Sequence, residues 1–259
     1  MVSSCGHDER GKYSGGQAGD QTGTEYYLRP FYVPYYGWDY VLRYPDKKVA
    51  SVISDIATKA AQNNRIGYDQ SYPDRMSFAE QMKKAGYFPE KITTPCESDC
   101  SSSTAVVVAA AGHRLGLTKL QQVSSYNTTR TLRDTLIKAG FECLTEKKYL
   151  TSDQYLLPGD IVLSEAHHVV INVSTGSKAV ASAGTVTGGK KVTQYAGIVK
   201  VGSYLNVRTG PGTRFNVVLL GGVEFRLPNG MVVSIDSESG GFGRLTGTGY
   251  WVSLRYIQR

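Results

Sequence analysis

Glu97-Ser98-Asp99-Cys100-Ser101-Ser102-Ser103-Thr104 runs directly into the apolar stretch Ala105-Val106-Val107-Val108-Ala109-Ala110-Ala111. A polar loop here becomes a buried helix, with a cysteine at the junction. Asp99 or Ser98 can cap that helix with a side-chain oxygen. Cys100 then falls in the first turn, where free N–H groups and the helix dipole stabilise a thiolate. A depressed thiol pKa is what a cysteine nucleophile needs. The competing reading is a buried structural cysteine, the commoner fate of a free thiol.

A second stretch bears on that choice. Pro158-Gly159-Asp160-Ile161-Val162-Leu163 reads as a turn feeding a strand, and His167-His168 opens a β-branched strand, Val169-Val170-Ile171-Asn172-Val173. A histidine opening a strand can meet a cysteine opening a helix, because such partners are adjacent in space rather than in sequence. Together the motifs Asp99-Cys100-Ser101-Ser102, Gly159-Asp160-Ile161-Val162 and His168-Val169-Val170-Ile171-Asn172-Val173 resemble the NlpC-type, papain-like cysteine peptidases of bacterial cell walls. The resemblance implies Cys100 as nucleophile and His168 as base. It implies Tyr68, with Asp69 beside it, as a wall of the substrate cleft. A core tyrosine next to a turn aspartate is the alternative there.

The family's third catalytic position, a polar residue that orients the imidazole, falls at Val180, which cannot accept a hydrogen bond. Gly19-Asp20-Gln21-Thr22-Gly23 resembles a segment found beside the catalytic domain of phage-like relatives. An N-terminal segment packed at the edge strand Lys178–Ala183 would supply the missing group. Ser4, His7 and Asp8 are its candidates, and His7 is favoured because an imidazole can bridge two polar groups. A plain N-terminal linker with an exposed His7 is the alternative.

The 259 residues carry a formal charge of +7. That balance favours a polyanion, such as an anionic wall. No block of like charges marks a nucleic-acid arm, so no nucleic-acid partner is expected. Four cysteines are too few for a disulfide scaffold, and the four histidines add no zinc spacing, so neither metal nor cofactor is expected. No apolar run reaches a membrane span, and residues 1–8 lack the pattern of a signal peptide. A monomer acting at the wall, secreted or released by a phage, is the expectation.

Apolar spacing predicts a helix from Asp46 to about Asn63, a short one over Phe78–Lys84 capped by Ser77, the Cys100 helix to about Gly112, and one from Thr128 or Thr129 to Gly140. His113 reads as a structural residue at a helix C-terminus. The aromatic stretch 26–43 predicts one or two strands or a cleft wall. From Gly197 the texture becomes short strands with glycine turns. Leu205-Asn206-Val207-Arg208-Thr209-Gly210-Pro211-Gly212 and Gly249-Tyr250-Trp251-Val252 resemble the opening and closing signatures of bacterial SH3-like domains. Leu205, Val207, Val217, Val218, Val232 and Ile235 are expected inward, with Tyr204, Arg208, Phe215 and Tyr250 as groove candidates.

The sequence therefore predicts an α+β chain: a papain-like domain over 1–196, then a small all-β SH3-like barrel over 197–259. The expected function is peptidoglycan hydrolysis at a stem-peptide amide through a Cys/His thiol mechanism. A wall-binding protein with a degenerate peptidase domain is the alternative.

Overall fold

The architecture comes from a computed structural model that describes residues 1–179, 190–213, 215, 217–220, 223–246, 248 and 250–259. The chain divides into two units, Met1–Ala183 and Gly184–Arg259. Val180 lies outside the described residues.

Helix α1 (Lys47–Ala60) starts where the Asp46 carboxylate accepts the Lys48 N–H, and it buries Val49, Ile53, Ile56, Ala57 and Ala60 at helical spacing. Helix α2 (Ser77–Lys84) buries Phe78 and Met82. Ser77 is part of this helix rather than its cap: its hydroxyl donates to Asp74 O and accepts from Glu97 N. Helix α3 (Cys100–Leu115) is buried nearly all round over its first three turns, and Gly116 ends it. It is three residues longer than predicted, because the left-handed cap is Gly116 at φ +68° rather than Gly112, and His113 within it stacks on Tyr87, with ring centroids 3.9 Å apart. Helix α4 (Thr118–Gln121) follows, and α5 (Leu132–Ala139) begins at Leu132, just after the predicted threonine caps.

The sheet of the first unit is antiparallel throughout. Its order runs β2 (Tyr26–Arg29), β1 (Val2–Cys5), β8 (His168–Asn172), β7 (Ile161–Ser164), β3 (Tyr40–Arg43), β6 (Glu142–Leu144). Strands β4 (Ile66–Tyr68) and β5 (Cys96–Ser98) form a separate parallel pair. The aromatic stretch thus contributes β2 and β3. The N-terminal strand does serve as a sheet partner, but for the histidine strand itself: Val2 faces Asn172 and Ser3 faces Ile171. Lys178 and Ala179 lie in a turn, so the predicted edge strand is not their conformation.

Two anchors explain these placements. The Gly159 amide donates to Asn172 O at φ +88°, and buried Asp160 takes the Arg43 guanidinium at 2.6 and 2.8 Å. The Gly-Asp motif therefore locks β7 to β8 and β3. At the N-terminus, buried Asp20 accepts backbone N–H groups from Thr22, Gly23, Thr24, Glu25 and Tyr26. Gly67 admits this segment, since a Cβ there would meet Gly19 O at 2.4 Å. Residues 19–26 are thus built into the first unit, not a linker. Asp20→Ala leaves those five donors without their charged acceptor. We expect a loss of roughly 3 kcal/mol, read as a fall in melting temperature of about 6 °C or more. An unchanged transition would refute the anchoring role.

The second unit holds a curled five-stranded sheet, ordered Trp251–Ser253, Phe242–Leu245, Val232–Ser239, Lys190–Val199, Ile257–Gln258, with a bulge between Ile235 and Ser237. The strand Lys190–Val199 pairs within this unit, although its residues 190–196 were expected in the first domain. Leu205, Val207, Val218 and Ile235 are buried as expected. Val232 is 64% exposed and Val233 takes its place inside, the alternation that Ile235 dictates. Val217 is half-buried.

Candidate active site

The site begins at the start of α3. Asp99 is the N-cap: its Oδ1 accepts Ser102 N at 2.7 Å and Ser101 Oγ at 2.8 Å. Its Oδ2 lies 2.5 Å from Arg75 Nε. Both carboxylate oxygens are engaged, so the turn that carries Cys100 is held rigidly. Cys100 occupies the first helical position and is 8% exposed. Burial and the Asp99 charge push the thiol up to about 12, outweighing the nearby backbone N–H groups of Val169 and Ser101, which favour the thiolate. The sequence argument for a depressed thiol counted the helix end and not the dry surroundings.

Val169 belongs to β8, so its N–H brings the start of that strand near the sulfur. The neighbouring His168 opens β8. Its Nε2 lies 3.4 Å from Ser4 Oγ, and its ring stacks on Trp38, with centroids 6.2 Å apart. Burial, and secondarily the Arg29 charge, lower its pKa to about 4. Near neutral pH the resting pair is therefore a thiol and a neutral imidazole. His167 is exposed and stacks on Tyr36, with ring centroids 4.5 Å apart.

Of the three N-terminal candidates, Ser4 meets His168. His7, the favoured one, instead pairs its Nδ1 with Asp8 O. Asp8 is committed to Arg10 and to the Lys12 amide. The register of β1 explains the outcome. Ser3 pairs with Ile171, and one step further along this antiparallel register Ser4 comes level with Val170, on the strand face that His168 shares two residues away, while His7 lies beyond the strand's end at Cys5. The Tyr32 phenol lies near Ser4, and burial raises its pKa against the smaller opposing effect of that hydroxyl. Sequence reasoning missed Tyr32, Trp38 and Arg29 as the surroundings of His168. The aromatic stretch 26–43 was their only signal.

Tyr68 is buried close enough to Cys100 for the thiolate charge to raise its phenol pKa, behind the larger effect of burial. Its ring meets Tyr13 edge-on at 6.5 Å. Asp69 is buried, and its carboxylate accepts Ser71 N and Oγ and Gly15 N. It shapes a loop rather than lying open in a cleft. Among the described residues, the group with metal-ligand spacing is Asp69, Asp74 and Glu97. Burial first, then the Asp69 and Asp74 charges, raise the Glu97 carboxyl to about 7. All four cysteines are free. No described helix is long and apolar enough to cross a membrane.

No curated protein and no solved structure matches the chain. The model of a family described as "endolysin-like domain" matches residues 2–179. That span starts at the strand carrying Ser4 and takes in Cys100 and His168. With most of its length matched, the chain belongs to the endolysin-like domain family, whose character is that of a phage or bacterial cell-wall hydrolase.

Proposed function

We propose that the first unit is a cysteine amidohydrolase of NlpC type that cuts a stem-peptide amide of peptidoglycan. The observation that carries this reading is the approach of β8 to the start of α3, where the Val169 N–H lies close enough to the Cys100 sulfur to favour its thiolate and Ser4 Oγ lies 3.4 Å from Nε2 of the adjacent His168. If Nε2–H donates to Ser4, the lone pair on Nδ1 is free to act as base. The Cys100 sulfur then attacks the carbonyl carbon while the thiol proton passes to Nδ1. The Cys100 N–H at the helix start stabilises the oxyanion. Collapse breaks the C–N bond, and the imidazolium returns its proton to the leaving amine. Water, deprotonated by His168, hydrolyses the thioester. Because the resting pair is uncharged, the proton leaves the thiol as the carbon–sulfur bond forms. Tyr68 lines the cleft in this reading, and Asp69 fixes the loop behind it.

The second unit is proposed as an SH3-like wall-binding module, supported by the Leu205–Gly212 signature and its buried Leu205 and Val207. Digestion of purified sacculi with mass spectrometry of the products tests the whole reading, with Cys100→Ala as the blank. New termini at a peptide amide support it. Intact sacculi that nevertheless bind the protein support the alternative, a wall-binding protein, which the high thiol pKa favours.

The low pKa of His168 gives the reading a signature in pH. A histidine with a depressed folded pKa stays in its basic form until the pH falls through that value. For a neutral amide substrate, the acid limb of kcat/KM is expected near pH 4, not near 6.5. A limb at 6.5 or above would show that His168 is not the dry base.

A further inference from the structure

We propose that the Asp69–Asp74–Glu97 cluster is a calcium site that clamps the loop after β4 to the strand leading into α3. One ligand oxygen from each residue lies within 4.8 Å of the others. Oxygens on a Ca²⁺ shell of about 2.3–2.6 Å are at most about 5 Å apart, whereas the tighter Mg²⁺ shell of about 2.1 Å spans little over 4 Å. The donors are all hard carboxylate oxygens, the preference of calcium rather than zinc.

The second observation is Glu97 itself. It is 6% exposed, and its Oε1 is buried without any hydrogen-bond partner. A buried carboxylate oxygen left bare is costly. A Glu97 carboxylate oxygen lies within 4.8 Å of carboxylate oxygens of both Asp69 and Asp74. A divalent cation supplies the missing partner and offsets the repulsion. Among the described residues, Asp69 Oδ2 accepts only the Gly15 N–H and keeps a lone pair beyond it, while Oδ1 takes both Ser71 donors. Asp74 is exposed, which gives the ion an entry path. Water completes the shell.

The placement gives the ion a task. Asp69 follows Tyr68, Asp74 precedes Arg75, and Glu97 lies two residues before Asp99. Arg75 pairs with Asp99, the cap of the Cys100 helix. The clamp would tie Tyr68, Arg75 and the helix cap together from one side.

The test uses the full chain without substrate, so it stands apart from the thiol mechanism. Melting is followed in EDTA and in calcium chloride, and terbium luminescence sensitised by tyrosine reads occupancy. At a hundredfold excess over Kd, calcium is expected to raise the melting temperature by about 5–10 °C, and to displace terbium. Magnesium is expected to do much less. Glu97→Gln removes both responses. Asp74→Asn, at an exposed position, also removes both and covers the case in which Glu97→Gln does not fold. Cys100→Ala keeps both. A parent chain with neither response, or an Asp74→Asn chain that keeps both, overturns the proposal.

Discussion

Replacing His168 with alanine is expected to lower wall hydrolysis by at least about two orders of magnitude, the scale of general base catalysis, and Cys100→Ala to abolish it. His167→Ala is expected to stay within a few-fold of the parent. The contrast follows from where the two rings sit. His168 opens β8 and meets Ser4 and Trp38, while His167, in the turn before the strand, is exposed and stacks on Tyr36. Cys100→Ala removes a small buried side chain and leaves the cap intact, because the capping bonds run from Asp99 to Ser101 and Ser102. Folding is therefore expected to survive, with wall binding unchanged. Turbidity of purified walls measures the rates, and pull-down with walls measures binding. Equal losses at His167 and His168 would remove the assignment of the base. Full lysis by Cys100→Ala would remove the nucleophile and return attention to Cys96 and Cys143.

The helix and strand that carry this chemistry were legible because their signals are local. A capping aspartate followed by an unbroken small and β-branched run leaves α3 little choice, and Gly159-Asp160 announces β7. The orienting group was less legible, since it depends on which strand lies beside β8. The sequence suggested that the N-terminus fills that role but not the register of pairing. One residue of register decides between a side chain facing His168 and one facing away. Register is set by Asp20, Gly67 and the packing of Val2, none of which announces a strand pairing by itself. Val232 and Val233 repeat the lesson in the second unit, where alternation from buried Ile235 puts Val233 inside and leaves Val232 exposed. The acidic cluster was illegible for a different reason. Asp69, Asp74 and Glu97 come together only through the parallel pairing of β4 and β5 and the turn before α2.

Deleting residues 1–25 is expected to leave no folded protein, whereas Ser4→Ala is expected to leave a folded but slower enzyme. The deletion removes β1 from between β2 and β8, and with it Val2 and Cys5, both essentially buried. It exposes the N–H and C=O groups of β8 along a central strand, a template for aggregation. It also takes away the Asp20 turn and the Glu25 carboxylate that accepts the Tyr68 N–H. These losses together exceed the 5–15 kcal/mol by which a typical domain is stable. Ser4→Ala, by contrast, removes one hydroxyl while β1 stays paired. The imidazole loses the partner at Nε2 that selects its tautomer, and a net hydrogen bond of about 1 kcal/mol corresponds to a loss of roughly five- to tenfold in kcat. KM is expected to hold, since Ser4 is 2% exposed and out of reach of substrate. His7→Ala is expected to match the parent, because His7 pairs with Asp8 O and not with His168. Circular dichroism and size exclusion test the deletion, and the kcat and KM of the point variants on soluble muropeptides test the rest. A folded, active chain lacking residues 1–25 would mean that β1 is dispensable. A large loss at His7 with none at Ser4 would mean that the imidazole is oriented from the loop beyond the strand instead.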